Sequence, residues 1–364
     1  MIVLVDGHAE GEIEIMDNLV LFEGVISHNI TQKPMVSNAY FLDDGDEAIL
    51  FDPSCGKDIA KRIENHLQER RAANVKWRRA VVLAGHSHPD HANNFYLSDA
   101  IRAQDTKIYV HEKGFKNGIV ANEPVQFFRG MIEESRRYYN PYLSFSGPNQ
   151  ARAMMLIDKV SANFFAKTMS SLGGRVWPPP INGSTRPEPL REEDIQTIDI
   201  GSVQLKGWRL GNKVVLPTPG HSPCSVSLFW PDRRAIFISD ADWHGNPVFV
   251  SSSLKDCISS LEMIKTIIKA GKIDLYLPGH GEVIEGEEKI LSHLDSCIEQ
   301  LEKIRSEVLS AHESSQEKDV QRLTRILVDD YPLFGKLKQS QMPKDVVNIY
   351  AMVTVCLKEE GIIT

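Results

Sequence analysis

The sequence predicts an α/β protein: one large mixed body, a helical insertion and an all-helical C-terminal extension. Three observations predict it. Short β-branched runs bounded by turns fill the chain up to about residue 115 and return from about residue 195. Segments with apolar residues at helical spacing stand between and after them. Beyond Gly286 the helical spacing continues to the last residues. At 364 residues the chain is long for one ordinary domain and short for three.

In order, LVLFEGVI (19–26), NAYFLDD (38–44) and AILFDPS (48–54) read as strands, with DDGDE (43–47) a hairpin turn between the last two. KDIAKRIENHLQERR (57–71) is an amphipathic surface helix. RRAVVLAGH (78–86) is a buried strand that runs into a loop, and KIYVHE (107–112) is another strand. Residues 123–143 and 149–174 read as two helices rich in Phe, Tyr and Met, followed by the Pro-rich loop RVWPPPINGSTRPEP (175–189). This stretch, about 115–190, is expected to be an insertion. Strands return in IQTIDI, SVQLKGWRL, KVVLPTPGH, SVSLFWP and RAIFISD; SLKDCISSLEMIKTIIKAG is a helix, and IDLYLPGH is the last strand expected. Ile290, Leu294, Ile298, Leu301, Ile304 and Val308 then form an apolar stripe, and DVQRLTRILVDDYP and DVVNIYAMVTVCLKEEG follow as helices. The expected division is a body over 1–285 and a helical C-terminal domain over 286–364.

Net charge is −8, against the basic excess of a general nucleic-acid binder. The five cysteines are odd in number and scattered, without a C-x-x-C pair, which suits a reducing compartment. The N-terminal stretch has no basic region followed by an apolar run, and no segment reaches the roughly 18 apolar residues of a membrane span. A cytoplasmic protein is expected.

The chemistry concentrates in VVLAGHSHPDHANN (81–94). His86, His88, Asp90 and His91 follow an apolar strand in the order H-x-H-x-D-H. Imidazoles and a carboxylate are a ligand set for zinc, iron or manganese, and a loop anchored by a buried strand can hold them to tight geometry. The construction recurs: KVVLPTPG leads to His221, RAIFIS to Asp240 and IDLYLPG to His280. Four such events in one chain are hard to explain by core packing.

This pattern resembles the metallo-β-lactamase superfamily over roughly residues 15–115 and 195–285. The resemblance implies a four-layered αββα sandwich with ligands at strand ends. It implies a first metal on His86, His88 and His221, a second on Asp90, His91 and His280, and Asp240 bridging both. Two divalent ions are implied, zinc foremost, with iron or manganese as alternatives. They would lie about 3.5–4 Å apart and share a hydroxide that attacks the scissile group, with Asp90 orienting it and taking its proton. No G-x-S-x-G nucleophile motif is present.

Three positions depart from the superfamily's habit. Gly85 stands where Thr is frequent, which removes a hydroxyl that would support a ligand. The bridging aspartate lies in ISDADWHG rather than T-G-D, so Asp242 rivals Asp240, with the strand register favouring Asp240. Cys224 follows His221 by three residues, where Gly is frequent, and reads as a small buried residue beside a redox-sensitive site.

Substrate contacts are expected from His244, which follows Asp240 closely and reads equally as a loop histidine, and from the insertion. Read as a lid, the insertion offers Tyr138, Tyr139 and Phe164, with Phe127, Phe128 and Phe165, to an apolar acyl or ring group. Read as packing, the same residues meet each other or a second copy. His111 closes a strand; His8, His28, His66, His293 and His312 read as surface or helix-face residues. The tail resembles that of some β-lactamase-like hydrolases, and its ending is similar to the last helix and short strand of a winged-helix-like module. Its acidic runs favour packing or homodimerisation over nucleic-acid binding.

The expected function is hydrolysis of an ester-like bond (thioester, lactone or ester) in a small, partly apolar substrate. The alternatives are a phosphodiesterase or ribonuclease, for which basic patches are missing, a mononuclear iron dioxygenase, which the complete second ligand set disfavours, and a non-catalytic metal-binding regulator. β-Lactam hydrolysis fits poorly with the second ligand set, and the glutathione-binding tail of hydroxyacylglutathione hydrolase is not recognisable here.

Overall fold

The computed structural model describes residues 12–24, 36–117, 185–243, 246–247, 249–337 and 343–364. Among the described residues, two seven-stranded sheets carry the body. The first takes β1 (Glu12–Met16), β2 (Leu19–Phe22), β3 (Ala39–Asp44), β4 (Glu47–Phe51), β5 (Arg79–Leu83), β6 (Asp105–His111) and β7 (Pro187–Leu190) in sequence order. β1 to β4 pair antiparallel, and β4 to β7 pair parallel. The second takes β8 (Gln196–Ile200), β9 (Val203–Leu210), β10 (Lys213–Pro217), β11 (Val226–Trp230), β12 (Ala235–Ser239), β13 (Leu275–Pro278) and β14 (Ile284–Glu285), again in sequence order. Only β12 and β13 pair parallel there.

Parallel pairing demands a crossover, and helices supply it. α1 (Lys57–Ala72) joins β4 to β5; α2 (Pro89–Ala92) and α3 (Leu97–Ile101) join β5 to β6; α4 (Leu254–Lys269) joins β12 to β13. Strand alternation sorts the apolar residues into layers. Val81 and Leu83 of β5 enter the core between the sheets with Phe51, Leu228, Phe237 and Leu277. Ala80 and Val82 face the other way, toward Ile59, Ile63 and Leu67 of α1. Ile236 and Ile238 of β12 likewise meet Leu261, Ile264 and Ile268 of α4. The result is the αββα sandwich.

The tail consists of α5 (Glu287–Ser315), α6 (Val320–Asp330), α7 (Pro332–Leu337) and α8 (Pro343–Glu359). The α5 stripe, Ile290 to Val308, is buried in the same continuous core as α4 and the outer face of the second sheet. Glu359 at the end of α8 caps α4: its carboxylate accepts from the Leu254 amide (2.8 Å) and the Ser253 hydroxyl (2.9 Å). The tail therefore packs directly on the layer that supports β12 and β13.

Three local readings are corrected. Pro187–Leu190, inside the expected loop, is edge strand β7, where proline costs no ladder bond. IDLYLPGH is followed by one more short strand, β14. Residues 360–364 are turn and coil, without the short strand of a winged helix. The two insertion helices fall outside the described residues. Among the described residues, no helix is long and apolar enough to cross a membrane.

Candidate metal centre

The ends of β4, β5, β10, β12 and β13 meet along one edge of the two sheets. Backbone and side-chain bonds close that edge. The Val226 amide donates to the Gly85 carbonyl (2.6 Å), joining the sheets. The Asn38 amide donates to the Gly279 carbonyl (2.7 Å), and the Tyr40 hydroxyl donates to the Pro278 carbonyl (2.7 Å). Gly279 is needed in that turn. A Cβ there would lie 2.7 Å from Asp240 Oδ1 and 2.9 Å from His91 Cε1. The side chains of Asp240 and His91 fill the space a larger residue would take.

Two groups of potential ligand atoms converge here. His86, His88 and His221 form one; Asp90, His91, Asp240 and His280 form the other. Within each group the atoms lie within 4.8 Å of one another. Asp240 stands between the groups: its Oδ2 is 3.2 Å from His91 Nε2, 3.5 Å from His221 Nε2 and 3.9 Å from His86 Nε2. Its Oδ1 is 3.6 Å from His280 Nε2. Asp90 Oδ2 lies 3.6 Å from His91 Nε2 and 3.5 Å from His280 Nε2. The rival Asp242 faces away, and its Oδ2 is bonded to His293 Nε2 (2.7 Å).

The electrostatics divide the groups. Burial, reinforced by the neighbouring imidazoles, holds His86 well below the usual histidine range and lowers His88 to about 3. Burial also lowers His221. The first group is thus three neutral imidazoles. In the second, burial opposes charge on His91, but the Asp240, Asp52 and Asp90 carboxylates overcome it and keep His91 protonated. Burial likewise opposes charge on Asp240, and His91 and His280 outweigh it. Cation binding would displace the His91 proton.

The donor set fits divalent metals. His86 Nε2, His91 Nε2, His280 Nε2 and Asp240 Oδ1 are buried and make no hydrogen bond. Native proteins rarely bury such atoms unpaired, and all four point into the same small volume, so a cation there would satisfy them together. Neutral imidazoles and carboxylates are the ligands zinc takes.

Residues that the sequence reading missed orient these side chains. Asp52 Oδ2 accepts from His91 Nδ1 (2.8 Å). Asn246 Oδ1 accepts from His221 Nδ1 (2.7 Å). In each case Nε2 is left to face the centre. Asp52 carries a legible signal, since AILFD is itself an apolar run ending in a carboxylate. Asn246 carries none. Two aromatic rings flank the groups: Phe249 packs edge-on to His88 (4.7 Å between centroids) and Trp243 edge-on to His280 (5.1 Å). Cys224 is buried, its Sγ 3.3 Å from the Ser87 and Ser222 hydroxyls. His111 ends β6. His244, Tyr138, Tyr139 and Phe164 lie outside the described residues.

His293 is more than a helix-face residue. Burial would lower its pKa, but the Asp242 carboxylate overrides this and raises it. The α5 helix is thereby bonded to the loop that carries Asp240. Below about pH 6.5, folded and unfolded chains both hold the proton, and the pair contributes fully. Above that, the unfolded chain loses its proton first, and the contribution fades until the folded His293 deprotonates. Denaturation of the His293→Gln protein should therefore show a loss of stability relative to the parent that is largest below pH 6.5 and shrinks on the alkaline side. A loss independent of pH would remove the ion pair as its cause.

A two-sheet sandwich that gathers imidazoles and carboxylates at its strand ends is the framework of a metal-dependent hydrolase fold. The sequence profile of the metallo-beta-lactamase superfamily matches residues 33–280, and the chain belongs to that superfamily. No curated protein sequence matches the chain. Among solved structures, it is similar to the metallo-beta-lactamase family protein TTHA1429 from Thermus thermophilus. The TM-score is 0.55 and the identity 20%, over 96% of this chain and 95% of that one. A beta-lactamase domain protein from Burkholderia ambifaria follows at TM-score 0.53 and 15% identity, over 96% and 88%. The inverting sec-alkylsulfatase Pisa1 from Pseudomonas sp. matches at 0.53 and 12%, over 94% of this chain and 49% of that one. At these identities the likeness is one of fold.

Proposed function

We propose that the chain is a hydrolase using two divalent cations, zinc foremost, to cleave an ester-like bond in a small, partly apolar molecule. The observation that carries this is the pair of converging ligand groups with Asp240 between them. His86, His88 and His221 would hold one cation and Asp90, His91 and His280 the other, with Asp240 touching both. Bound there, two cations would supply Lewis acidity and a water acidic enough to lose its proton near neutral pH. The chain's own residues do the rest. Asp90, less enclosed than Asp240 (17% exposed against 6%), would take up and give back the proton that hydrolysis moves. Asp52 and Asn246 hold imidazoles in place. Trp243 and Phe249 offer apolar walls that support a partly apolar substrate. The five cysteines are buried and no disulfide joins them, which supports a reducing, cytoplasmic setting.

The test is metal content by elemental mass spectrometry on protein purified without added metal. The same sample is assayed against thioester, lactone, carboxylic ester, phosphodiester and secondary-alkyl sulfate reporters. Two zinc ions per chain with turnover of an acyl reporter is the expected result. One iron without hydrolysis would overturn it in favour of oxygen chemistry. Two metals with no turnover of any reporter would favour a binding protein.

A further inference from the structure

We propose that Ser239 is a positioning residue whose single hydroxyl orients His86 directly and His91 through Asp52, and that Gly85 exists to make room for it. The proposal rests on reading His86 and His91 as metal ligands.

The hydroxyl sits at the centre of a buried chain of bonds. Ser239 Oγ donates to Asp52 Oδ2 (2.8 Å) and lies 3.1 Å from His86 Nδ1. The same Asp52 oxygen accepts from His91 Nδ1 (2.8 Å), and Ser239 Oγ is 3.2 Å from that nitrogen. Asp52 Oδ1 accepts the Gly85 amide (2.6 Å). Ser239 has one proton, and the carboxylate takes it. The hydroxyl lone pair is then left to accept from His86, which places the ring proton on Nδ1. His86 Nε2, the buried atom without a hydrogen bond, is thereby kept as a lone pair facing the centre. One hydroxyl on the second sheet thus reaches one imidazole from each ligand group.

Backbone conformation alone would place these two residues the other way round. Ser239 has φ 51°, a left-handed conformation in which glycine is at ease and other residues are strained. Such strain persists where surrounding contacts over-determine it. Gly85 is not in that region, and its glycine has a different cause. A Cβ on residue 85 would lie 2.3 Å from Ser239 Cβ and 2.5 Å from Ser239 Oγ. The chain keeps a side chain where the backbone disfavours one and omits it where the backbone permits one. The hydroxyl contacts account for both choices. The left-handed turn also ends β12 at an irregularity in its pairing with β13, and the next residue is Asp240.

The experiment uses the full chain in two forms. On chelator-treated protein, long-range 15N–1H correlation spectra of the histidine rings report the tautomer of His86. On the same samples, zinc is titrated against a chromophoric chelator. The parent should show His86 with its proton on Nδ1 and two zinc equivalents. Ser239→Ala keeps the Cβ and the backbone, and should retain the fold, lose the tautomer preference and bind zinc about 10- to 100-fold more weakly. Gly85→Ala should fail in zinc binding or folding, and Gly85→Ala with Ser239→Gly should recover the fold without recovering the tautomer. Ser239→Ala with an unmoved His86 signal and parental zinc affinity would overturn the proposal. A parent that takes up no zinc, but whose His86 tautomer depends on Ser239, would support the positioning role and overturn the metal reading instead.

Discussion

An Asp90→Asn protein is expected to fold as the parent does and to lose most of its turnover. The side chain is in the short α2 turn after β5, 17% exposed, and the Ser37 hydroxyl donates to its backbone carbonyl (2.8 Å), which the substitution leaves intact. Asparagine has the same shape. What it lacks is the negative charge beside His91 and His280 and the capacity to take a proton. Removing a positioned general base costs about 10²- to 10⁴-fold in rate. Stability should change by about 1 kcal/mol, the ordinary effect of a point substitution. Steady-state kinetics on whichever reporter the parent cleaves, with denaturant melts alongside, separates the two quantities. Turnover near the parent's would remove Asp90 from the proton-transfer role.

Asp52→Ala should act in the opposite way, on stability first. Asp52 is fully buried and outside both ligand groups, yet it receives the Gly85 amide, the Ser239 hydroxyl and His91 Nδ1. Its charge, with those of Asp240 and Asp90, raises the His91 pKa well above the usual histidine range against the effect of burial. Truncation leaves three buried donors facing a void and an imidazolium short of one counter-charge. Breaking a buried charge pair from one side costs about 3–5 kcal/mol. That is a large share of the roughly 5–15 kcal/mol by which a folded domain is stable. Chemical denaturation of the chelator-treated protein measures it. A loss below about 1 kcal/mol, the ordinary effect of a point substitution, would mean that other groups hold His91 and the β5 loop.

Much of this is legible because the signals are local. An apolar β-branched run ending in His or Asp announces a strand and a metal-competent side chain at once, and His86, His221, Asp240 and His280 stand out in this way. The choice of Asp240 over Asp242 also follows from strand register: Asp240 directly succeeds Ile236–Ser239, and its carboxylate joins the imidazoles while Asp242 turns to α5. What escapes is long-range. Asn246 and Ser239 look like any turn residue, and their importance comes from partners 25 and 153 positions away. His293 reads as a helix-face residue because its partner, Asp242, is 51 positions distant. β7 escapes because its prolines read as loop until a sheet edge makes them harmless.

Both sheets take their strands in sequence order, so among the described residues the chain passes from one sheet to the other once, between β7 and β8. The two ligand groups ignore that division. His86 and His88 precede the passage and His221 follows it; Asp90 and His91 precede it, and Asp240 and His280 follow. An ion in either group would clasp two halves of the polypeptide that share few strand bonds, joining, for His88 and His221, residues 133 positions apart. Such an ion would work as a removable cross-link, its binding energy added to the cohesion of the sandwich. The same atoms that would perform chemistry would then also set how firmly the halves stay together as free metal rises and falls.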